Sequence, residues 1–307
     1  LRQRFEKPAK ILINPTSGTK SMTAAAFMIA LAEGISDVAF TTGERHGGLV
    51  KTGTERLVHF DPTFWLHQQS LERARELGNA GSYFAGTELL KNNPLEAAQS
   101  LRARLLCLHH WRRLHFSQAK NVLRDETPEI SKVLARRSQA LNARKFSWEI
   151  LSDLLAWGDL AIRHEQPEEA SRLFYQAIEY AAQGAFTETT GLPFPPSPEE
   201  YQSLGASFSL PADLKNMSAV SLRGKGPCIL LGLNKLLRCL LALKHPLGKY
   251  ASETEGFFNH LDLRNLATHN LSAISLREAK AFQKSTSQVL SKAFPEFRRS
   301  PLPLNSF

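Results

Sequence analysis

Residues 10–21 read KILINPTSGTKS, and this stretch sets the architecture of the front of the chain. The short apolar run at 10–14 predicts a buried strand, and the Ala-rich stretch 22–33 predicts a helix. A loop of small hydroxyl residues joins the two. Backbone N–H groups and the helix dipole attract anions at such a helix N-terminus, so the pattern favours phosphate binding.

The loop supplies its own groups for an anionic ligand. Thr16, Ser17 and Thr19 offer hydroxyl donors, and Lys20 adds a positive charge. It is not a Walker A loop, because that motif needs a glycine directly before the lysine, and here Thr19 separates Gly18 from Lys20. A capped helix after a tight turn is the structural alternative, since Ser and Thr are common N-caps.

The sequence after this helix predicts only a small sheet. Residues 37–40 indicate a second strand, and 43–50 with 54–60 indicate the two arms of a hairpin with glycines at its turns. A doubly wound sheet usually contains more strands than this. The chain begins with Leu1 rather than Met, so we expect the first strands of this domain to precede residue 1.

The composition indicates a globular protein with a polyanionic partner. The chain has 307 residues and a formal net charge of +9, which favours a polyanion over other partners. No apolar run reaches the roughly 18 residues that span a membrane. Three cysteines without a Cys-x-x-Cys pair favour buried thiols in a reducing cytoplasm. His109, His110 and His115 have no carboxylate or cysteine at ligand spacing, so we expect no metal site.

Beyond residue 62 the sequence predicts helices and connecting loops. We expect helices at 65–90, 95–124, 128–142, 148–164, 167–183, 227–245 and 276–294. The pair at 148–164 and 167–183 should pack antiparallel. One side of the 95–124 helix is basic, which indicates either a solvated face or an RNA-facing surface. Its basic residues are Arg102, Arg104, Arg112, Arg113, His115 and Lys120.

Near the end of the chain, RNLATH at residues 264–269 places an arginine and a histidine five residues apart. Arginine is a fixed cation suited to phosphate, and histidine exchanges protons near neutral pH. RNA carries its own nucleophile, the 2′-hydroxyl, so this pair suits cleavage without a metal. Five helical residues turn about 500°, which leaves Arg264 and His269 roughly 140° apart on one helix. The chain must therefore bend there, or a second copy must complete the site.

These two motifs, in this order and with helical sequence between them, resemble the CARF–HEPN ribonucleases, which are accessory effectors of type III CRISPR systems. The matching stretches are residues 14–20 and 264–269. The resemblance implies a fold class of α/β plus all-α: a Rossmann-like CARF domain, incomplete at its N-terminus here, followed by a helical HEPN domain. We place the CARF part at 1–62, a helical linker or insertion at 63–146 and the HEPN ribonuclease domain at 147–307.

The resemblance also implies an activity. A CARF dimer binds a cyclic oligoadenylate across its two-fold axis, and binding activates the HEPN dimer to cleave single-stranded RNA without a metal, leaving a 2′,3′-cyclic phosphate. Arg264 would stabilise the phosphate, Asn265 would position it, and His269 would transfer the proton or orient the 2′-hydroxyl. Cyclic tetra-adenylate is the favoured activator, with cyclic hexa-adenylate as the other ring size. The activator would contact Asn14, Thr16, Ser17, Gly18, Thr19 and Lys20.

The expected partners are therefore single-stranded RNA, the cyclic oligoadenylate and a second copy of the chain, with no cofactor, no DNA and no membrane. Two other functions fit the same sequence. One is a toxin-like HEPN ribonuclease whose front domain senses another nucleotide. The other is a non-enzymatic helical scaffold that binds RNA or protein through the basic face at 102–124.

Overall fold

The computed structural model describes residues 12–14, 19–33, 35, 37–46, 49–123, 128–221, 226–262 and 273–299. The chain divides into two compact units, one up to residue 105 and one from residue 106 onward. Strands and a helix form the start of the front unit, and helices dominate the rest of the described residues. The predicted fold class, α/β followed by all-α, is confirmed.

The front unit is built on a strand–helix–strand crossover. Strand β1 (Leu12–Ile13) is followed by helix α1 (Lys20–Ala32), and the chain returns through β2 (Asp37–Thr42), which lies parallel to β1. Parallel strands need such a crossover, because a tight hairpin joins only antiparallel strands. The strand, helix and strand predicted between residues 10 and 40 are therefore confirmed.

The third strand pairs differently from the sequence prediction. Strand β5 (Arg56–Phe60) lies antiparallel to β2, which gives the order β1–β2–β5. The predicted hairpin between 43–50 and 54–60 is wrong. The first of these arms folds on itself instead, as the short antiparallel strands β3 (Arg45–His46) and β4 (Leu49–Val50).

Aromatic packing accounts for the observed pairing of β2 with β5. Val38 lies opposite Phe60 and Phe40 opposite Val58, so both phenylalanines are on the same face of the sheet. Phe27 of α1 contacts them there, with ring centroids 6.2 Å from Phe40 and 5.2 Å from Phe60. Three half-buried rings from three elements thus pack together under α1, and a local hairpin would separate them.

Two helices follow the sheet, α2 (Thr63–Asn79) and α3 (Tyr83–Leu89). The turn after α3 is held by Asn93, which is 3% exposed. Its side-chain amide donates to the His67 carbonyl and to the Ser70 hydroxyl, both at 2.7 Å. A buried amide is stable only when it is hydrogen-bonded, so this contact fixes the turn on α2.

The helix predicted at 95–124 is two helices, α4 (Glu96–Arg112) and α5 (Phe116–Val122). The break lies at Leu114, whose φ of 60° is in the left-handed region. Its N–H donates to the Trp111 carbonyl at 2.8 Å, which closes the end of α4. The prediction of one continuous helix is wrong, and basic residues on the two sides of the break do not share one helical face.

The helices predicted at 128–142, 148–164, 167–183 and 276–294 are present, the third of them extended to residue 190, whereas the helices at 198–207, 212–215 and 246–253 were not predicted. The helix predicted at 227–245 begins only at residue 233, because β7 (Pro227–Cys228) pairs as a short strand with β6 (Val220–Ser221). A further helical segment covers 257–262. The helices are α6 (Pro128–Asn142), α7 (Trp148–Arg163), α8 (Pro167–Thr190), α9 (Pro198–Ser207), α10 (Ala212–Lys215), α11 (Leu233–Ala242), α12 (Pro246–Glu253) and α13 (Leu276–Ala293).

Helices α7 and α8 form the antiparallel pair that the sequence predicts. They approach closely at Gly158, where a Cβ atom would lie 2.6 Å from the ring of Phe174. Phe174 is fully buried and also contacts Phe282 of α13, with ring centroids 6.2 Å apart. The missing side chain at Gly158 therefore gives Phe174 its place between three helices.

A buried ion pair fixes α6 against α7. The Asp153 carboxylate, 1% exposed, accepts from the Arg137 guanidinium through both oxygens, at 2.5 and 3.1 Å. It also accepts from the indole N–H of Trp111 at 2.8 Å. The Arg137 guanidinium lies over the Trp111 ring, 5.6 Å from its centroid. The end of α4, α6 and α7 therefore meet at one satisfied polar point.

We expect Asp153→Ala to lower the free energy of unfolding by about 3–5 kcal/mol, because it leaves the buried Arg137 guanidinium without its counter-ion. Urea unfolding followed by circular dichroism measures the change. The control is Asp213→Ala, which removes the exposed two-bond pair with Arg238. Water screens that pair, so its loss should cost far less. Equal losses in the two variants would contradict a special role for Asp153.

Candidate functional site

The candidate ligand site lies at the carboxyl end of the parallel strands β1 and β2. Asn14 directly follows β1, and its side-chain amide donates to the hydroxyl of Thr41 in β2 at 3.0 Å. Ligands of open α/β sheets bind outside the carboxyl ends of the strands. The sequence predicts Asn14 as a ligand residue, and in the structure its side chain has a fixed orientation at this edge.

Thr19 is the N-cap of α1. Its hydroxyl accepts from the Met22 N–H at 3.3 Å, and its carbonyl accepts from the Thr23 N–H at 2.9 Å. The structural alternative, a capped helix, thus describes Thr19 correctly. Lys20 is exposed at the first helical position. The positive Lys20 side chain lies at the positive end of the helix dipole, which is unfavourable. A bound anion there would be attracted by both positive charges.

The structure describes three of the six predicted ligand residues, namely Asn14, Thr19 and Lys20. The other three lie outside the described residues: Thr16, Ser17 and Gly18. Asn14 and Thr19 are oriented by local hydrogen bonds, whereas the Lys20 side chain extends into solvent at the helix start. Among the three, Lys20 is the group that offers charge to a ligand.

Arg56 belongs to the same edge, and the sequence analysis missed it. It lies opposite Thr42 at the end of β2, and the Thr42 hydroxyl donates to the Arg56 carbonyl at 3.5 Å. Because β5 runs antiparallel to β2, its first residue lies at the carboxyl end of the parallel pair, which is the end where Asn14 lies. The Arg56 side chain is exposed. Its planar donors suit phosphate, so this edge carries a second cation besides Lys20.

The predicted catalytic residues Arg264, Asn265 and His269 lie outside the described residues. The structure describes the segment that precedes them, at 257–262. Phe257 is fully buried, with its ring centroid 6.4 Å from that of Phe282. The chain thus enters the predicted catalytic stretch from a helical segment that is packed on α13.

Polar contacts hold both sides of the same stretch. Before it, the Asn234 amide of α11 donates to the Asp262 carboxylate at 3.1 Å. After it, Ser275 and Glu278 form a capping box at the start of α13, in which the Ser275 hydroxyl accepts from the Glu278 N–H at 3.2 Å and the Glu278 carboxylate accepts from the Ser275 N–H at 2.7 Å. Asp262, just before 263–272, is therefore tied to α11, and the chain after this stretch begins α13 with a closed N-terminal cap.

His260 is a titratable group beside this stretch that the sequence analysis did not select. Its ring stacks on Phe282, with centroids 5.8 Å apart and planes 28° apart. Burial lowers the pKa of His260, and the nearby Glu278 carboxylate opposes this shift more weakly. His260 is therefore a neutral, half-buried ring at neutral pH, four positions before Arg264 in the sequence.

Within the part of the chain that the structure describes, no three His, Cys, Asp or Glu residues are grouped to hold a metal ion. The rings of His109 and His110 lie 5.5 Å apart, and those of His110 and His115 lie 6.2 Å apart. Burial, together with neighbouring positive groups, lowers the pKa of His109 and of His110. Among the described helices, none has the length and apolar character that a membrane crossing requires.

Comparison with solved structures finds similarity to this chain, whereas the comparisons with family models and curated proteins do not. No protein-family model matches the chain, and no curated protein matches it. The chain is similar to a solved structure of Enterococcus italicus Csm6 bound to cyclic hexa-2′-fluoro-hexa-dAMP. The TM-score is 0.51 and the sequence identity 13%, and the match covers 97% of this chain and 73% of that chain. Csm6 is a CARF–HEPN effector of type III CRISPR systems, so the predicted resemblance is confirmed at the level of the fold.

We expect the free energy of unfolding to fall as the pH drops below about 6.5, the ordinary pKa of histidine. The folded-state pKa of His260 is lowered, so the unfolded chain binds the proton first and acid favours unfolding. His260→Phe keeps a ring against Phe282 without this titration. Urea midpoints at several pH values should therefore fall less steeply for the variant. An unchanged slope would contradict the prediction. The variant should still lose some stability as the pH falls, because burial also lowers the pKa of four other histidines: His109, His110, His164 and His245.

Proposed function

We propose that the chain is an endoribonuclease of type III CRISPR defence that is activated by a cyclic oligoadenylate and cleaves single-stranded RNA. The observation that carries the proposal is the fold shared with Csm6 over 97% of the chain, together with the order of the two sequence motifs. In this proposal residues 1–62 are the CARF part, 63–146 a helical linker and 147–307 the HEPN domain.

The activator would bind at the carboxyl edge of the front sheet. Lys20 and Arg56 offer two exposed cations there, and the α1 N-terminus adds its dipole. A phosphodiester ring has one negative charge per nucleotide, so two copies of this edge would match a cyclic ligand. Cyclic tetra-adenylate is favoured by the sequence resemblance, and the analogue bound to Csm6 makes cyclic hexa-adenylate the other candidate.

A homodimer is part of the proposal. Helix α1 leaves Met22, Met28 and Ile29 exposed at 63%, 64% and 58%, and neighbouring apolar side chains in solvent are typical of protein contact surfaces. The 140° offset between Arg264 and His269 on a regular helix gives an independent reason for two copies. A dimer would let the arginine of one motif act beside the histidine of the other.

The RNA would be cleaved by attack of its own 2′-hydroxyl on the adjacent phosphate. His269 would move the proton or orient the 2′-hydroxyl, Arg264 would stabilise the charge on the phosphorane, and Asn265 would position the phosphate. The bond from phosphorus to the 5′-oxygen breaks, and a 2′,3′-cyclic phosphate remains on the upstream product. The contact of Asp262 with Asn234 and the capped start of α13 support this function, because the described residues on both sides of 263–272 have defined positions.

We expect Arg264→Ala and His269→Ala each to slow single-turnover cleavage of a single-stranded RNA by at least about 100-fold. Each variant loses a group that acts in the transition state. EDTA should leave the rate of the parent unchanged, and the product should end in a 2′,3′-cyclic phosphate. Lys284→Ala, an exposed charge on α13, is the control. Cleavage that survives both catalytic substitutions would exclude this site.

We expect Lys20→Ala and Arg56→Ala each to raise the cyclic oligoadenylate concentration for half-maximal activation by about tenfold, the effect of one lost charged contact. The maximal cleavage rate should stay the same, because neither residue contacts the RNA. Cleavage assays titrated with cyclic tetra- and hexa-adenylate measure both quantities. Lys91→Ala, an exposed charge elsewhere in the front unit, should change neither. Full cleavage without any cyclic oligoadenylate would refute activation.

A further inference from the structure

A cavity of about 760 Å³ lies in the helical unit, between the end of α6, the start of α7 and the second half of α8. Its volume is in the range of sites that hold small ligands. The proposed cleavage reaction does not use it. Four aromatic and two basic residues are among those that line it, namely Phe146, Trp148, Tyr180, Phe194, Arg144 and Lys145.

The aromatic side chains of this cavity form a fixed frame. The Phe146 ring rests on α8 at Gly184, where a Cβ atom would overlap it. Ring centroids of Phe146 lie 5.2 Å from Tyr180 and 4.6 Å from Trp148. The Tyr180 hydroxyl accepts from the Ser147 N–H at 2.9 Å. The rings therefore need no rearrangement before a ligand binds.

Trp148 offers ring surface to a ligand. Phe297 stacks on it, with planes 26° apart and centroids 5.2 Å apart, yet 40% of Trp148 remains exposed. Indole is an effective stacking surface for any nucleobase, because every base has a flat π-face. An exposed, immobilised tryptophan inside a cavity thus suits a flat aromatic ligand.

Cations surround the same rings. A second cavity of about 380 Å³ shares Lys145, Phe146 and Trp148 with the first. Exposed Arg144 lines the first cavity and exposed Arg136 lines the second, in addition to the shared Lys145. The carboxylates are Glu188 in the first cavity and Glu149 in the second, and the guanidinium of Arg137 is already bound by Asp153. Three exposed cations against two carboxylates favour an anionic ligand.

We propose that the two cavities form one surface that binds unpaired bases of single-stranded RNA. Bases stack on Trp148 and Phe146, and the phosphates between them lie beside Arg136, Arg144 and Lys145. Aromatic platforms flanked by cations are the chemistry by which proteins hold single strands without reading sequence. That the bound strand is the substrate rests on the proposed ribonuclease function. The binding itself does not.

The surface lies at the far end of α13 from Ser275. Helix α13 begins a few residues after 263–272, and Phe294 just past its other end contacts Trp148 at 5.1 Å. The 18 residues of α13 span about 27 Å. A strand bound at Trp148 is thus held about one helix length away from the start of α13. In the proposal this surface contributes affinity for the strand and no catalytic group.

Tryptophan fluorescence tests this surface directly. Of the four tryptophans, Trp111 and Trp157 are buried and Trp65 lies in the front unit, so Trp65→Phe leaves Trp148 as the exposed reporter. The full chain also carries Arg264→Ala and His269→Ala to prevent cleavage. We expect oligouridylate of about 12 nucleotides to quench Trp148 with saturation. A duplex of the same length should not, because its bases are already stacked.

The charged contacts are tested by Arg144→Gly/Lys145→Ala. Residue 144 has a φ of 51°, which glycine adopts without strain, so the fold should be kept, and thermal melting checks this. We expect the Kd for the RNA to rise about tenfold or more at fixed salt. Lys280→Ala/Lys284→Ala, which removes the same charge from the exposed side of α13, is the control and should leave the Kd unchanged.

The outcomes separate the two proposals. If RNA quenches Trp148 but the chain with Arg264 and His269 intact cleaves no RNA with any cyclic oligoadenylate, the surface is supported and the ribonuclease proposal is overturned. Cleavage without quenching of Trp148 would overturn the surface alone. Equal quenching by duplex, or by AMP at the same concentration as the oligonucleotide, would also overturn it. So would quenching by a peptide of residues 300–307 but not by RNA, since the occupant would then be the chain's own end.

Discussion

The close approach of α7 and α8 at Gly158 is the constraint on which the helical unit depends. Phe174 fits only because residue 158 has no side chain, and a Cβ there would lie 2.6 Å from its ring. The contact continues as a line of rings, from Phe174 to Phe282 and from Phe282 to Phe257 and His260. These rings carry the segment that leads into the predicted catalytic stretch. Because close-packed interiors transmit displacement, a larger residue at 158 would move that segment as well as the two helices.

Hydrophobic periodicity was enough to predict most helices, but it could not show where several of them end. Glycine is the usual residue at a left-handed helix end, and Gly191, with a φ of 70°, ends α8 in this way. Four other ends use residues with no such signal: Leu114, Arg144, Glu165 and Lys244, with φ between 51° and 60°. A left-handed φ costs a non-glycine residue about 1–2 kcal/mol, which tertiary packing must offset. The predicted 95–124 helix ran past Leu114 for this reason.

At the carboxyl edge of the front sheet, some of the candidate ligand residues could be predicted from the sequence and one could not. Asn14, Thr19 and Lys20 are close in sequence and were found as one motif, because strand, loop and helix start follow one another directly. Arg56 needs the pairing of β2 with β5, which skips over residues 43–55. Local patterns favour the shorter hairpin, since closing a short loop costs less entropy. The packing of Phe27, Phe40 and Phe60 outweighs that preference, and no single-sequence pattern records it.

Net charge predicts the class of partner better than the place where it binds. Arg112 belongs to the basic face of the scaffold hypothesis, yet only 14% of its side chain is exposed, and it donates to Glu169 and Gln166 at 3.0 Å each. Arg137 is likewise buried in an ion pair with Asp153. Because α4 and α5 are separate helices that meet at Leu114, the basic residues of 102–124 do not form one continuous face, although Arg113 and His115 are exposed. Other exposed cations, Lys20, Arg56, Arg136, Arg144 and Lys145, lie at the sheet edge and around the aromatic cavities. A basic side chain can bind RNA only where it is exposed and is not already paired with a carboxylate of the protein. Burial and ion pairing therefore decide which of the 38 basic residues can bind RNA.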